Sequence, residues 1–79
     1  MEEQSILNYC IKNFLKNYNT QPRFKASVDS KYIGVELFFS QGDLNPISVG
    51  FCSNYNSLNE GYCTAAINAF KNLDSSLLP

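Results

Sequence analysis

Two stretches of the chain place apolar residues at the period of an α-helix. Over residues 6–18 apolar side chains recur every three or four positions, behind an acidic lead-in at residues 2–3. Residues 57–73 repeat this spacing, with alanine at many of the apolar positions. Because residues three or four apart share one face of a helix, both stretches are predicted to be amphipathic helices. The alanines predict that the second helix lies very close to whatever it covers.

The residues between the two helices alternate between apolar and polar, which is the period of a half-buried β-strand. Three strands are predicted, with a very short connection at residues 29–31 and a turn at residues 41–46. Their inward side chains are predicted to be Phe24, Ala26, Val28, Ile33, Val35, Leu37, Phe39, Ile47, Val49 and Phe51. On the third strand this leaves the small residues Ser48, Gly50 and Cys52 facing outward.

This order of elements predicts the fold class. Short connections make the strands an antiparallel meander. One apolar sheet face and two apolar helix faces then predict an α+β fold, a two-layer α-β-β-β-α sandwich with both helices on one face of a three-stranded sheet. We expect one domain over residues 1–79, with its core in residues 5–73, a frayed tail over residues 74–79, and a longer parent protein.

The apolar face of the first helix is wider than a small domain needs. Its two adjacent stripes are Ile6–Cys10–Phe14 and Leu7–Ile11–Leu15–Tyr18. In one interpretation both stripes belong to the core. In the other, the second stripe is partly exposed around Ile11 and Leu15 and contacts a partner.

Composition argues against catalysis. The chain has no histidine, so neither a Cys–His nor a Ser–His pair can form. Cys10, Cys52 and Cys63 are widely separated, which favours reduced thiols in an intracellular protein over disulfides or a metal site. We therefore expect no enzymatic activity, no cofactor and no metal.

The net charge and the hydropathy of the chain argue against two classes of partner, nucleic acid and membranes. Six Lys and Arg against seven Asp and Glu give a net charge of -1, which argues against non-specific binding to nucleic acid. No apolar run approaches the roughly 20 residues that cross a bilayer, and no signal peptide opens the chain. We expect an intracellular protein without membrane contact, in the cytoplasm or alternatively the nucleus.

Several motifs occur in an order and spacing that match a known family. Residues 6–13 (ILNYCIKN) contain its first-helix Tyr-Cys and Lys-Asn pairs, and residues 22–24 (PRF) are similar to the start of its first strand. Residues 34–39 (GVELFF) and Gly50 are similar to its second and third strands, and residues 65–73 carry its double alanine and later leucine. Together these motifs resemble the double-stranded RNA-binding domain family, over roughly residues 5–73.

The resemblance implies three RNA-contacting patches, which hold about 16 base pairs of A-form RNA in the family's binding members. In the first helix, Asn8 stands where a glutamate typically reaches a 2′-hydroxyl, with Lys12 and Lys16 nearby. Residues 29–31 lack the Gly-Pro and His of the second patch. Residues 58–62 lack the lysine cluster of the third and include a repelling carboxylate. Two of the three patches are therefore absent.

Two functions follow as expectations. The first is a degenerate domain that mediates protein–protein interaction in RNA silencing or RNA processing, by homodimerisation or by docking to a Dicer-like ribonuclease. Because the third strand is a sheet edge, another chain could add a strand there. The interface candidates are Leu7, Ile11, Leu15, Ser48, Gly50, Cys52 and Ile67. The alternative is a weak double-stranded RNA-binding accessory domain of an RNA-processing enzyme, such as a ribonuclease III-class enzyme or an adenosine deaminase, with contacts from Asn8, Lys12 and Lys16.

Overall fold

The computed structural model describes residues 2–39 and 42–79, and its elements follow the predicted order. They are helix α1 (Glu3–Tyr18), strands β1 (Arg23–Val28), β2 (Ile33–Phe38) and β3 (Ser48–Cys52), helix α2 (Leu58–Leu73) and a short 3₁₀ helix (Ser75–Leu77). The sheet is antiparallel in the order β1-β2-β3, and both helices pack on the face that carries Ile33, Val35 and Leu37. The predicted α-β-β-β-α sandwich is confirmed. The predicted turn over residues 41–46 begins at Gln41, which lies outside the described residues.

Capping residues determine where α2 begins and where α1 ends. Ser57 caps the start of α2, because its hydroxyl accepts a hydrogen bond from the backbone N–H of Glu60 at 3.1 Å. α1 ends at Tyr18 and is capped by Asn19, whose φ of 56° is left-handed and whose N–H donates to the carbonyl of Leu15. Asparagine tolerates this conformation better than most residues. The start of α2 and the end of α1 are therefore encoded in the local sequence.

Two groups of buried side chains form the core. The first joins α1, β2, α2 and the 3₁₀ helix through Cys10, Phe14, Leu37, Ala69, Phe70 and Leu77. The second joins β2 to α2 through Ile33, Val35, Ala65 and Ala66. Phe14 is fully buried, and its ring centroid lies 4.7 Å from that of Tyr18 and 5.8 Å from those of Phe39 and Phe70. The Ile6–Cys10–Phe14 stripe of α1 therefore packs in the core, as predicted.

β3 turns its small residues toward α2, opposite to the prediction. The hydroxyl of Ser48 donates to the carbonyl of Ala69 at 2.7 Å. Gly50 is buried, and a Cβ atom there would lie 2.1 Å from the carbonyl oxygen of Ala65. Phe51, which was predicted to point inward, is 55% exposed. The predicted orientation of this strand is wrong, but the predicted close approach of the alanine face of α2 is confirmed.

The start of β3 explains the reversal. The N–H of Ile47 donates to the carbonyl of Leu37 at 2.8 Å, while Ser48 is the residue directly opposite Leu37. Two consecutive residues thus oppose one, as in a β-bulge, and this shifts the alternation by one position. Ile47 packs on the first core group as predicted, but from Ser48 onward the phase is inverted. Cys52 consequently packs against the second core group, and Val49 faces away from the helices.

The carboxyl-terminal segment belongs to the core. Leu77 is fully buried in the first core group, and the side-chain amide of Asn13 donates to its carbonyl at 3.2 Å. The Asp74 carboxylate accepts hydrogen bonds from the hydroxyl and backbone N–H of Ser76, and these hold its pKa below the usual value. The prediction of a frayed tail is wrong, and the core extends past residue 73.

Candidate functional site

An apolar groove of about 260 Å³ opens between α1, α2 and β1. It exists because α2 packs mainly on β2 and β3 while α1 packs on α2 and the 3₁₀ helix, so that the helices cover β1 only in part. The apolar side chains that line it are Leu7, Phe24, Ala26, Val35, Tyr62 and Ala66. An apolar groove of this kind on a small domain is a candidate contact surface.

β1 contributes the floor of the groove and remains largely uncovered. Phe24 and Ala26 point to the helix side, as predicted, but they are not enclosed. Phe24 is 36% exposed although its ring packs edge-on against that of Phe70 at 5.8 Å, and Val28 is 52% exposed. The alternation therefore predicted the direction of these side chains correctly but not their burial.

The edge of β3 is closed by two asparagines of α2. The side-chain amide of Asn72 donates to the carbonyl of Val49 at 2.9 Å, and that of Asn68 donates to the carbonyl of Phe51 at 2.8 Å. These carbonyls point away from β2, at the edge where an added strand would bind. β3 is an edge strand as predicted, but its acceptors are already occupied.

The orientation of β3 also decides where its three interface candidates point. Ser48, Gly50 and Cys52 face α2 rather than solvent, because the bulge inverts the strand. Their small side chains allow a helix of the same chain to approach. The prediction that they line an outward surface for another chain is wrong.

Removing both asparagines should expose the edge of β3. We expect Asn68→Ala with Asn72→Ala to lower the free energy of unfolding by about 1 kcal/mol, because two hydrogen bonds are lost while alanine improves helix propensity. Urea unfolding followed by circular dichroism measures this change. Asn17→Ala on α1 is the matched control, since no hydrogen bond of its side chain is found within the described residues. Equal effects of the control and the double variant would contradict the capping role.

The edge of β1 is open. The N–H of Asp29 donates to the carbonyl of Tyr32, so the odd-numbered residues of β1 exchange hydrogen bonds with β2. Phe24, Ala26 and Val28 therefore direct their N–H and C=O groups away from β2. Over residues 2–39 and 42–79, no hydrogen-bond partner is found for these groups. The free strand edge and the apolar groove thus involve the same residues.

The helical interface candidates do not form one surface. Leu7 is half-buried and lines the groove. Ile11 is half-buried against the first core group, whereas Leu15 is 39% exposed and lies about 12 Å along α1 from Leu7. Ile67 is half-buried on α2. Of these four residues, Leu7 alone lines the groove.

The candidate RNA contacts of α1 form a single exposed row. Asn8, Lys12 and Lys16 are four residues apart and share one face of the helix. The carbonyl oxygen of the Asn8 side chain accepts a hydrogen bond from Gln4 at 3.1 Å. The row thus offers two cations and one amide to an RNA backbone.

Residues 29–31 and the start of α2, the other two predicted RNA-contact positions, offer an RNA backbone little positive charge. The Asp29 carboxylate accepts the N–H of Lys31 at 3.3 Å and so closes a tight turn between β1 and β2. At the start of α2, Leu58 is 54% exposed, Asn59 is exposed and Glu60 adds a negative charge. The sequence contains no Lys or Arg between Lys31 and Lys71. Phosphate groups would meet no cation at the start of α2.

Sequence reasoning did not identify the roles of Gly61 and of the asparagines of α2, although the sequence contains a signal for each. A Cβ atom at Gly61 would lie 2.5 Å from the Ile33 side chain and 2.9 Å from that of Tyr55, so this glycine lets α2 dock. A glycine inside a helical pattern indicates such a close approach. Asn68 and Asn72 occupy one face of α2 despite their poor helix propensity, which indicates a specific side-chain role.

The described residues show few features of a catalytic, metal-binding or membrane-spanning protein. All three cysteines are free, and burial raises the pKa of the Cys10 and Cys63 thiols. In the part of the chain that the structure describes, no cluster of three metal-ligating side chains is found. None of the described helices combines the length and the hydropathy needed to cross a membrane.

The groove and the open edge of β1 together form a candidate binding surface. Comparison of the chain with protein-family models, with curated proteins and with solved structures found no match. A functional proposal therefore rests on the surfaces of the molecule and on the resemblance of its motifs.

Proposed function

We propose that this chain is a protein–protein interaction module built on the fold of a double-stranded RNA-binding domain. The observation that carries the proposal is the apolar groove beside a strand edge whose hydrogen-bonding groups have no partner among the described residues. Extended segments bind such edges by adding a strand, and an adjacent groove supplies contacts for alternate side chains. The module acts by homodimerisation or by docking to a Dicer-like ribonuclease in RNA silencing or RNA processing. The ribonuclease and the RNA context rest on the resemblance of residues 5–73.

Electrostatics disfavour RNA as the main ligand. Strong binding to a duplex usually involves about six to ten phosphate contacts. The whole chain has six cations, which are Lys12, Lys16, Arg23, Lys25, Lys31 and Lys71. Those of α1 lie in the helix layer, and Arg23 and Lys25 lie on the opposite face of the sheet. One duplex cannot contact both sets at once, so few phosphates can be neutralised.

A duplex titration tests whether RNA is the main ligand of the chain. With an RNA duplex of about 16 base pairs at about 50 mM salt, we expect dissociation constants no tighter than about 10 μM, because only two lysines share a face. Fluorescence anisotropy measures this binding. Binding in the nanomolar range that is lost in Lys12→Glu with Lys16→Glu, but kept in the control Lys71→Glu, would overturn the proposal.

The second candidate function is a weak double-stranded RNA-binding accessory domain of an RNA-processing enzyme. The exposed row of Asn8, Lys12 and Lys16 on α1 favours it. In that case the same titration gives weak binding with a shallow salt dependence, of about two released counterions. Protein association would then be absent at every concentration tested.

A further inference from the structure

We propose that two copies of this chain pair through their β1 edges in an antiparallel arrangement centred on Ala26. The two three-stranded sheets would then become one continuous sheet of six strands. The inference rests on the proposed function, since it identifies the partner as a second copy of the chain and the surface as β1. A two-fold axis midway between the two Ala26 residues, perpendicular to the sheet, relates the copies and keeps all four helices on one side.

The choice of edge follows from the hydrogen bonds of the monomer. Asn68 and Asn72 occupy the outward carbonyls of β3, whereas the outward groups of β1 have no partner within the described residues. An incoming strand at β3 would first have to displace two side-chain amides. At β1, no such side-chain hydrogen bond has to be displaced among residues 2–39 and 42–79.

The free groups of β1 also limit the possible registers. Because Phe24, Ala26 and Val28 present their N–H and C=O groups outward, these residues must face each other across the interface. A pairing centred on Ala26 places Ala26 of one copy opposite Ala26 of the other. It also places Phe24 of each copy opposite Val28 of the other. Each of the three residue pairs can exchange two backbone hydrogen bonds.

The charges of β1 and its following turn complement each other in this register. Arg23 comes to lie opposite Asp29 of the second copy, twice by symmetry, and Lys25 lies opposite the neutral Ser27. Lys25 also has Glu36 directly beside it on β2 of its own chain. Opposite charges at directly facing positions stabilise an antiparallel pair.

The neighbouring registers are disfavoured by the same charges. A slip of the two strands in one direction places Lys25 opposite Lys25 of the second copy. A slip in the other direction places Arg23 opposite Lys31, and Phe24 opposite the polar Ser30. Like charges at facing positions destabilise a strand pair, so one register is selected by both attraction and repulsion.

The apolar surface of β1 is buried by the same pairing. Phe24 and Val28 are 36% and 52% exposed in the monomer, and they become cross-strand neighbours on the helix side. The two grooves then meet above the paired strands, between the Leu7 and Tyr62 side chains of both copies. The exposed side chains and the free backbone groups of β1 are therefore covered together.

Sedimentation equilibrium of the 79-residue chain between about 1 μM and about 1 mM tests the inference. We expect a concentration-dependent dimer in which the amide protons of Phe24, Ala26 and Val28 gain protection from hydrogen exchange as concentration rises. Ala26→Pro removes an outward N–H without touching the ladder to β2. It should weaken association at least about 30-fold while circular dichroism stays unchanged.

Val49→Pro is the matched control, because its N–H points outward at the opposite edge; it should leave the dimer intact. If Ala26→Pro fails to fold, Asp29→Asn keeps the turn acceptor but loses the charge, and should weaken association about threefold to tenfold. A chain that is still monomeric at about 1 mM would overturn the inference, as would a dimer lost in Val49→Pro but kept in Ala26→Pro. Neither result overturns the interaction module itself, which fails instead if the duplex titration shows tight RNA binding.

Discussion

Replacing Gly50 with alanine should lower the free energy of unfolding by about 3 kcal/mol. A Cβ atom at this position would lie 2.1 Å from the carbonyl oxygen of Ala65 and 2.2 Å from the backbone nitrogen of Ala69. Both atoms belong to the backbone of α2, which cannot rotate away as a side chain can. The helix must shift as a unit, and this strains its contacts with β3. Urea unfolding by circular dichroism and by tyrosine fluorescence measures the loss.

The expected loss is large against the total stability, which for a domain of this size is about 5 to 10 kcal/mol. Gly34→Ala is the control, because its Cβ atom would lie 3.1 Å from the ring of Phe51, a half-exposed side chain that can turn. We expect its effect to stay within about 1 kcal/mol, since the smaller conformational freedom of alanine in the unfolded chain offsets part of the crowding. Equal effects at the two glycines would show that α2 is free to move away from β3.

Gly50 also connects the packing to the candidate interface. A shift of α2 away from β3 would stretch the hydrogen bond from Ser48 to Ala69 and those from Asn68 and Asn72 to the strand carbonyls. Tight helix–strand packing is therefore what keeps the edge of β3 closed. The asymmetry between a closed β3 edge and an open β1 edge depends on one glycine facing an alanine-rich helix.

The order of helices and strands was predictable because the apolar spacing of each element is a property of its own short segment. The apolar spacing around Cys10 and Phe14, and the alternation of Ile33, Val35 and Leu37, are properties of short segments that no distant contact changes. The same holds for the alanine stripe of α2, whose small side chains indicate close packing regardless of which strand the helix covers.

The orientation of β3 was not predictable from alternation. Residues 47–52 alternate between larger and smaller side chains, and either set could face the helix. The usual burial of hydrophobic side chains favours the larger set for the core. The bulge at Ile47 and the need for a small surface opposite Ala65 and Ala69 decide the question, and both depend on residues far away in the sequence.

The candidate site was only partly predictable for a similar reason. Leu7 was anticipated as an interface residue and does line the groove, because its apolar stripe is visible in the sequence. The groove itself depends on where α1 lies across the sheet. Contacts such as that of the Cys63 thiol with Gln4, and of Asn13 with the carbonyl of Leu77, fix that position through pairs separated by about 60 residues. No local pattern encodes such pairs.

Replacing Leu77 with alanine should lower the free energy of unfolding by about 3 kcal/mol. The side chain is fully buried in the first core group, beside Phe14 and Phe70, so its removal leaves a cavity among aromatic rings. Leu44→Ala is the control, because Leu44 is 92% exposed and should change the stability by less than about 0.5 kcal/mol. Urea midpoints of the two variants give the comparison directly.

The result also bears on the groove, because the carbonyl of Leu77 accepts the hydrogen bond that anchors Asn13 of α1. α1 supplies one wall of the groove through Leu7, so the position of that wall depends on the carboxyl-terminal segment. If Leu77→Ala unfolds at the same urea concentration as Leu44→Ala, the segment is not part of the cooperative unit, and α2 alone holds α1 in place. If Leu77→Ala unfolds much earlier, the end of the chain stabilises the helix that shapes the groove beside β1.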